Sequence, residues 1–294
     1  MFFMTVQTET APARSVLTKA VGWLAVILGC SLIAFIAYPF IAGDKILYGS
    51  MISWQLYANT AAYFLQLKSG IYGFFNFDFA LGFNALGDSQ QSLMHPIKVL
   101  IAFFSGSHYS VDSRFLAFHY VLLFLGMFLL VRRLIRSDRS LSDRNLISFF
   151  GAISFSLGIG VYANFVHPFF IASLPYIILC LYLVDLSLEK MSRARILLLT
   201  LSTTMMLLAG HFGMQWLGLI LIVCFAISKA IREQIELSRL LPIGIAIGLG
   251  FLLAAPQLFA TFELMLTTSR ASPGGVGKLT QSPGPFQWLG YITP

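Results

Sequence analysis

The stretch "FLAFHYVLLFLGMFLLVRRLIR", residues 115–136, decides the fold class of this chain. Its first seventeen residues contain no Asp, Glu, Lys or Arg, and three arginines follow. A run of about 20 apolar residues is long enough to cross the hydrocarbon core of a bilayer as a helix. Arginines directly after such a run are typical of the cytoplasmic end of a span. We therefore predict a transmembrane helix that ends at the cytoplasmic face.

The composition of the whole chain agrees with a membrane protein. Of the 294 residues, 57% are hydrophobic and only 11% are charged, and the mean hydropathy is +0.81. A water-soluble domain needs more charges on its surface. The lipid bilayer is therefore the first expected partner, and the net charge of +7 indicates topology and not nucleic-acid binding. The three cysteines lie within apolar runs and match no zinc or redox motif.

We predict an all-α polytopic bundle of about seven transmembrane helices. Pro168 favours the start of a new helix, and His211 between two glycines favours a hairpin. The segment 1–20 is assigned to the cytoplasm, 21–262 to the bundle, and 263–294 to an extracytoplasmic segment. The spans are expected at about 21–42, 115–135, 146–162, 166–187, 195–209, 212–230 and 241–262.

The distribution of lysine and arginine predicts a cytoplasmic N-terminus. With this orientation, thirteen of the 19 basic residues lie in inner segments, as the positive-inside rule requires. These are Arg14, Lys19, Arg132, Arg133, Arg136, Arg139, Arg144, Lys190, Arg193, Arg195, Lys229, Arg232 and Arg239. Their simplest roles are topology and contact with anionic lipids.

The largest predicted loop, residues 43–113, then lies outside the cytoplasm. Its segments "ISWQLYANTAAYFLQL" and "HPIKVLIAFF" mix apolar and polar residues or are too short to span, which favours interfacial helices. All five histidines, at positions 95, 108, 119, 167 and 211, fall in this loop or at outer ends of spans. Titratable residues gathered at one rim of a bundle predict a site there.

The last span carries residues suited to one reaction class. Pro256 is expected to kink or break this helix, Glu263 follows within an apolar stretch, and Arg270 can clamp a phosphate. A carboxylate beside a phosphate-binding cation suits attack by an acceptor hydroxyl on a sugar carried by a lipid phosphate. The apolar bundle would hold the lipid tail.

The chain also resembles the YfhO-like family of bacterial membrane proteins. The segment "KSGIYGFFNFDFALGFNALGDSQQSLMHP" is similar to the family's first outer loop, "AGHFGMQ" to its Gly-His motif, and "APQLFATFELMLTTSR" to its Gln-Leu-x-x-Thr-x-Glu-Leu and Ser-x-Arg motif. The residues that match are Gly70, Asn76, Gly82, Asp88, Gln90, Pro96, Gly210, His211, Gln215, Gln257, Thr261, Glu263, Ser269 and Arg270.

This resemblance implies a GT-C-type glycosyltransferase of the bacterial inner membrane. Its implied partners are a polyprenyl-phosphate sugar donor and a glycan or lipid acceptor, and the chain corresponds to the N-terminal portion of such a protein. Met51 stands where the family often has an acid after Gly-Ser. Asp44 or Asp88 then supplies the base, or the chain is a non-catalytic assembly partner.

The predicted catalytic residues are therefore Asp88 and Asp44, and eight residues are assigned to substrate binding. The alternative role for Asp88 is to cap the interfacial helix that follows, and the alternative role for His167 and His211 is to cap helix hairpins. No cofactor is assigned, a divalent metal is left open, and a transporter or lipid-sugar translocator remains the alternative function. The substrate-binding set is Asn76, Gln90, His167, His211, Gln215, Gln257, Glu263 and Arg270.

Overall fold

The computed structural model describes residues 23–35, 51–70, 75–76, 83–84, 86–107, 109–135, 140–158 and 168–267. This part of the chain is predominantly helical, which confirms the predicted all-α class. A single pair of two-residue strands, β1 (Phe75–Asn76) and β2 (Phe83–Asn84), is antiparallel. The helices are α1 (Trp23–Phe35), α2 (Met51–Lys68), α3 (Pro96–Phe104), α4 (Tyr109–Leu134), α5 (Leu141–Ser156), α6 (Pro168–Glu189), α7 (Arg193–Leu208), α8 (Phe212–Arg232) and α9 (Leu240–Thr267).

Each predicted span overlaps one helix. The first span overlaps α1, and the other six overlap α4 to α9. Four of them, α4, α6, α8 and α9, are long and apolar enough to cross a membrane. Helices α5 and α7 have 16 residues each, fewer than the roughly 20 that a full span needs. The structure thus supports a membrane protein with four candidate spans in its described part, and the count of seven stays a prediction.

Helix α6 lies at the centre of the bundle. It packs against α4, α7 and α8, while α5 packs on α4 and α9 on α7. About 78% of the most apolar stretch of α6 is buried within the protein, against 28% of the corresponding stretch of α9. Small residues along α6, such as Ala172, Ser173 and Cys180, are fully buried, which lets neighbouring helices approach it from several sides.

Two glycines mark close helix crossings that involve α8 and α9. A Cβ at Gly250 of α9 would lie 2.7 Å from the Thr203 side chain of α7, and one at Gly218 of α8 would lie 2.7 Å from Ile177 of α6. Small residues at such positions let helix backbones approach in the absence of a hydrophobic driving force between spans. These two positions therefore fix how α8 and α9 sit on the core.

One end of the bundle, here called the Asp185 end, is joined by an ion-pair network. Arg133 Nε of α4 lies 2.5 Å from Asp185 Oδ2 of α6, and its Nη2 lies 2.5 Å from Glu189. Lys229 of α8 pairs with the other oxygen of Asp185. Arg133 and Lys229 were expected only to set the topology, and in the structure they also connect α4, α6 and α8 through Asp185.

The opposite end, here called the Asp88 end, is where α4, α6 and α8 begin and α7 and α9 finish. Helix α3 packs on α4 there, and α2 packs on both. A kink or a break was expected at Pro256, and helix α9 continues through it to Thr267, so this proline does not break the helix. Transmembrane helices tolerate an internal proline when the freed backbone groups find other partners.

Candidate functional site

The first component of the site is a tight turn that presents Asp88. Ser89–Gln91 form one 3₁₀ turn, and Asp88 precedes it as the N-cap. One carboxylate oxygen accepts from the backbone N–H of Gln90 at 3.2 Å, and the other accepts from the Gln91 side chain at 3.1 Å. Asp88 thus caps this turn, and its orientation is fixed. The alternative reading of the sequence had it cap the helix that follows, α3, whose N-cap is His95.

This turn is docked on the C-terminal half of α9. The Gln257 side chain donates to the carbonyl of Leu86 and contacts the Thr261 hydroxyl at 3.3 Å. A Cβ at Gly87 would lie 2.7 Å from the carbonyl oxygen of Ala260, so only glycine permits this approach. Asp88 and Gln257 are more than 160 residues apart along the chain, and the fold brings their segments together.

His211 lies at the turn between α7 and α8, beside the Asp88 turn. Its Nδ1 accepts from the backbone N–H of Gly213 at 3.1 Å, so it caps α8 as predicted. Its ring stacks on Phe170 of α6 with the centroids 4.6 Å apart. The buried Gln215 side chain donates to the carbonyls of Leu207 and Gly210, which fixes the turn that carries the imidazole.

The electrostatics of Asp88 follow from these surroundings. Burial raises the pKa of its carboxyl, while the hydrogen bonds from Gln91 and Gln90 and the charges of Lys98 and His211 lower it. Burial is the largest influence, and the pKa is raised overall. A carboxylate with a raised pKa accepts a proton more readily, which is the property a general base requires.

An apolar groove of about 550 Å³ lies between α8 and α9. It begins at Phe212, the residue after His211, and follows α9 from Gly248 to Met265, which corresponds to about 25 Å of helix. Its walls are Phe212, Trp216, Gly248, Phe251, Leu252, Ala255, Leu258, Phe259, Phe262 and Met265. The groove therefore runs along the lipid-facing side of two candidate spans and reaches the level of His211.

The predicted site residues divide into those that meet and those that do not. The turn residues Asp88 and Gln90, the hairpin residues His211 and Gln215, and Gln257 of α9 gather at the Asp88 end. Glu263 is exposed, about 120° around α9 from Gln257, and lies outside this group. Asp44, His167 and Arg270 fall outside the described residues, and Asn76 is described only through the backbone of β1.

Sequence reasoning missed Lys98, which organises the Asp88 end. Its side chain is only 2% exposed, and Nζ lies 2.6 Å from Asp112. The ammonium also donates to the carbonyl of Gln91 at 2.7 Å and to the Thr60 hydroxyl at 3.3 Å. The signal was a single lysine within the apolar segment "HPIKVLIAFF", because a charge in such a segment requires a partner.

A second missed feature is a buried aromatic cluster around His95. The rings of His95 and His119 lie 5.3 Å apart, and Tyr176 lies 5.5 Å from each of them. The Tyr176 hydroxyl is 3.2 Å from His119 Nε2, while His119 Nδ1 lies 2.6 Å from the Phe115 carbonyl. Burial lowers the pKa of His95 well below its usual value, and the charges of His119 and Lys98 lower it further.

Among the residues that the structure describes, no three His, Cys, Asp or Glu side chains are grouped in a way that could hold a metal ion. Comparisons with known proteins do not add an assignment. The chain matches no protein-family model, no curated protein and no solved structure. The function is therefore argued from the geometry of this end of the bundle.

Proposed function

We propose that this chain is a membrane glycosyltransferase-like protein. It would transfer a sugar from a polyprenyl-phosphate donor to an acceptor hydroxyl at the extracytoplasmic face of a bacterial inner membrane. The observation that carries the proposal is that the Asp88 carboxyl, fixed by Gln90 and Gln91, and the His211 imidazole, fixed by Gly213, lie at the end of the bundle where an apolar groove begins at Phe212. The resemblance to the YfhO-like family supports the same assignment.

Each group has a defined role in the proposed reaction. The acceptor oxygen forms a bond to the anomeric carbon of the sugar while the bond from that carbon to the phosphate oxygen breaks. The phosphate takes the bonding electrons, and Asp88 takes the proton of the acceptor hydroxyl. His211, whose Nδ1 accepts from Gly213, donates its Nε2–H to the departing phosphate, and Arg270 is assigned the task of stabilising the same phosphate from the sequence. The groove between α8 and α9 holds the isoprenoid chain.

The proposal includes the membrane arrangement expected from the sequence. The Asp88 end is extracytoplasmic, the N-terminus is cytoplasmic, all seven predicted spans cross the bilayer, and the helices of the first loop lie at its surface. The distribution of charge supports this orientation. Most described lysines and arginines lie at the Asp185 end, whereas Lys68, Lys98 and Arg114 lie at the Asp88 end.

The test is transfer of a radiolabelled hexose from polyprenyl phosphate in membranes that contain the protein. Asp88→Asn keeps the size of the side chain and removes the base, so we expect transfer to fall at least about 100-fold. The matched control is Asp143→Asn, the same chemical change at an exposed acid in the first turn of α5, and it should retain transfer. Equal rates for Asp88→Asn and the unmodified chain, with both proteins folded, would refute the role of Asp88.

A lipid-sugar translocator is the second candidate, favoured by the length of the groove along α9. A translocator moves a labelled lipid-sugar across the bilayer of a vesicle without forming a glycosidic bond. The same preparation therefore separates the two functions, because only the transferase yields labelled product. A non-catalytic assembly partner would do neither.

A further inference from the structure

The exposed side of α3 carries large apolar side chains at the Asp88 end. The exposed fractions are 52% for Leu100, 55% for Phe103 and 78% for Phe104, and Leu65 of α2 is 60% exposed. The opposite side of α3 carries Lys98 and Ala102, which are buried. The exposed side of α3 is thus apolar, in addition to the side on which Ile97 and Ile101 pack against the core. These four exposed residues are here called the aromatic edge.

Two polar contacts fix the depth of α3 relative to the membrane. Lys98 is paired with Asp112, and the Arg114 guanidinium donates to the hydroxyl of Ser105, the residue after α3, at 3.1 Å. Both partners lie in the first turns of α4, whose candidate span is Ser110–Leu134. Helix α3 is therefore held level with the start of a span, which is the boundary between hydrocarbon and headgroups.

The aromatic edge is continuous with the lipid-facing side of α4. Phe118 lies one helical turn beyond Arg114 on the same side of α4 and is 41% exposed, and Leu129 further along is 36% exposed. Because Arg114 contacts Ser105, which directly follows Phe104, the two apolar surfaces adjoin. A lipid that covers α4 therefore also meets the end of α3.

A cation lies within this surface. The Lys68 ammonium donates to the carbonyl of Phe103 and lies 5.4 Å from the Phe64 ring and 5.6 Å from the Phe103 ring. Aromatic rings beside a lysine are typical of membrane interfaces, where rings enter the acyl region and the ammonium meets lipid phosphates.

We propose that the aromatic edge inserts into the adjacent lipid leaflet and that Lys68 binds the phosphate of an anionic phospholipid headgroup there. This interaction anchors α3, and through Lys98 and the Gln91 carbonyl it holds the Asp88 turn at the membrane surface. It rests on the membrane arrangement included in the proposed function and not on the proposed sugar transfer. The aromatic edge is assigned to the lipid leaflet because α3 lies level with the start of α4 and because the edge adjoins the exposed apolar side of α4.

The test uses the full chain in nanodiscs of phosphatidylcholine and phosphatidylglycerol. Cys30 and Cys224 are replaced by alanine, buried Cys180 is kept, and an environment-sensitive fluorophore is attached at Phe104→Cys. Leu252→Cys, at a residue 69% exposed within α9, is the control for acyl-chain contact. Glu236→Cys, in the exposed turn before α9, is the control for water.

We expect the label at position 104 to be quenched by lipid-attached spin labels and protected from aqueous iodide, as at position 252. A label that behaves as at position 236 would overturn the proposal. Self-quenching that grows with the protein-to-lipid ratio, without quenching by lipid, would assign the surface to a second copy and also overturn it. A spin-labelled phosphatidylglycerol headgroup should quench up to about fivefold more than the choline lipid, and Lys68→Gln should abolish this preference. Equal quenching by both headgroups would remove Lys68 from the proposal.

Discussion

Removal of the Lys98 ammonium should destabilise the Asp88 end strongly. In Lys98→Met, three acceptors lose their donor: Asp112 at 2.6 Å, the Gln91 carbonyl at 2.7 Å and the Thr60 hydroxyl at 3.3 Å. Loss of one partner from a buried ion pair costs about 3–5 kcal/mol, since a buried carboxylate is left without compensation. We expect the free energy of unfolding to fall by this amount.

The double variant Lys98→Met/Asp112→Leu separates the ion pair from the other contacts. Replacement of both charges by apolar groups is close to neutral for the pair itself, and the Gln91 carbonyl without its donor costs about 1–3 kcal/mol. The double variant should therefore be more stable than Lys98→Met alone. Lys68→Met is the matched control, because an exposed lysine contributes under about 1 kcal/mol.

Unfolding in detergent measures these differences, and limited proteolysis between residues 86 and 107 shows whether the loss is local. The expected order of destabilisation is Lys98→Met, then the double variant, then Lys68→Met. If Lys98→Met costs no more than Lys68→Met, Lys98 does not organise this end. If the double variant is as unstable as Lys98→Met, the buried charge of Asp112 is not the cause.

Three further predictions follow from other parts of the bundle. Burial keeps His95 neutral in the folded chain, so the free energy of unfolding should decrease as the pH falls below about 6.5, by up to about 1.4 kcal/mol per pH unit. In His95→Gln, the free energy of unfolding should depend less steeply on pH. Asp185→Ala removes the close partner of buried Lys229 and leaves it only Glu233 at 3.7 Å. This change should cost up to about 3–5 kcal/mol in detergent unfolding, whereas Asp143→Ala should cost little. Gly250→Val places a side chain against Thr203 and should separate α7 from α9. Cysteines placed on these two helices should then no longer cross-link. Unchanged cross-linking would contradict the close approach of α7 and α9 at Gly250.

Apolar runs and helix boundaries could be predicted because they depend on local sequence. The start of α6 at Pro168 and the cap at His211 both agree with the structure, since proline favours the first helical position and an imidazole can accept from a helix N–H. The second predicted span began at residue 115, but α4 begins at Tyr109. Its first turn is polar, so hydropathy did not include it.

The contacts of the candidate site depend on long-range packing that periodicity does not contain. The proximity of Asp88 and His211 was expected only in outline, as a common rim. The hydrogen bond from Gln257 to the Leu86 carbonyl joins segments that no local pattern relates. Lys98 was counted as an outer basic residue, because its partner Asp112 lies fourteen residues away on another helix.

The central position of α6 has a consequence for biogenesis. During synthesis, the helices up to α5 are made before α6 and can pack only on one another, since α4, α7 and α8 all pack against α6. Until Pro168–Glu189 has been inserted, the residues of α4 that face α6, among them His119 and Gly126, are covered by lipid or by an insertion factor. Assembly of the bundle is therefore a late event that waits for the arrival of one helix.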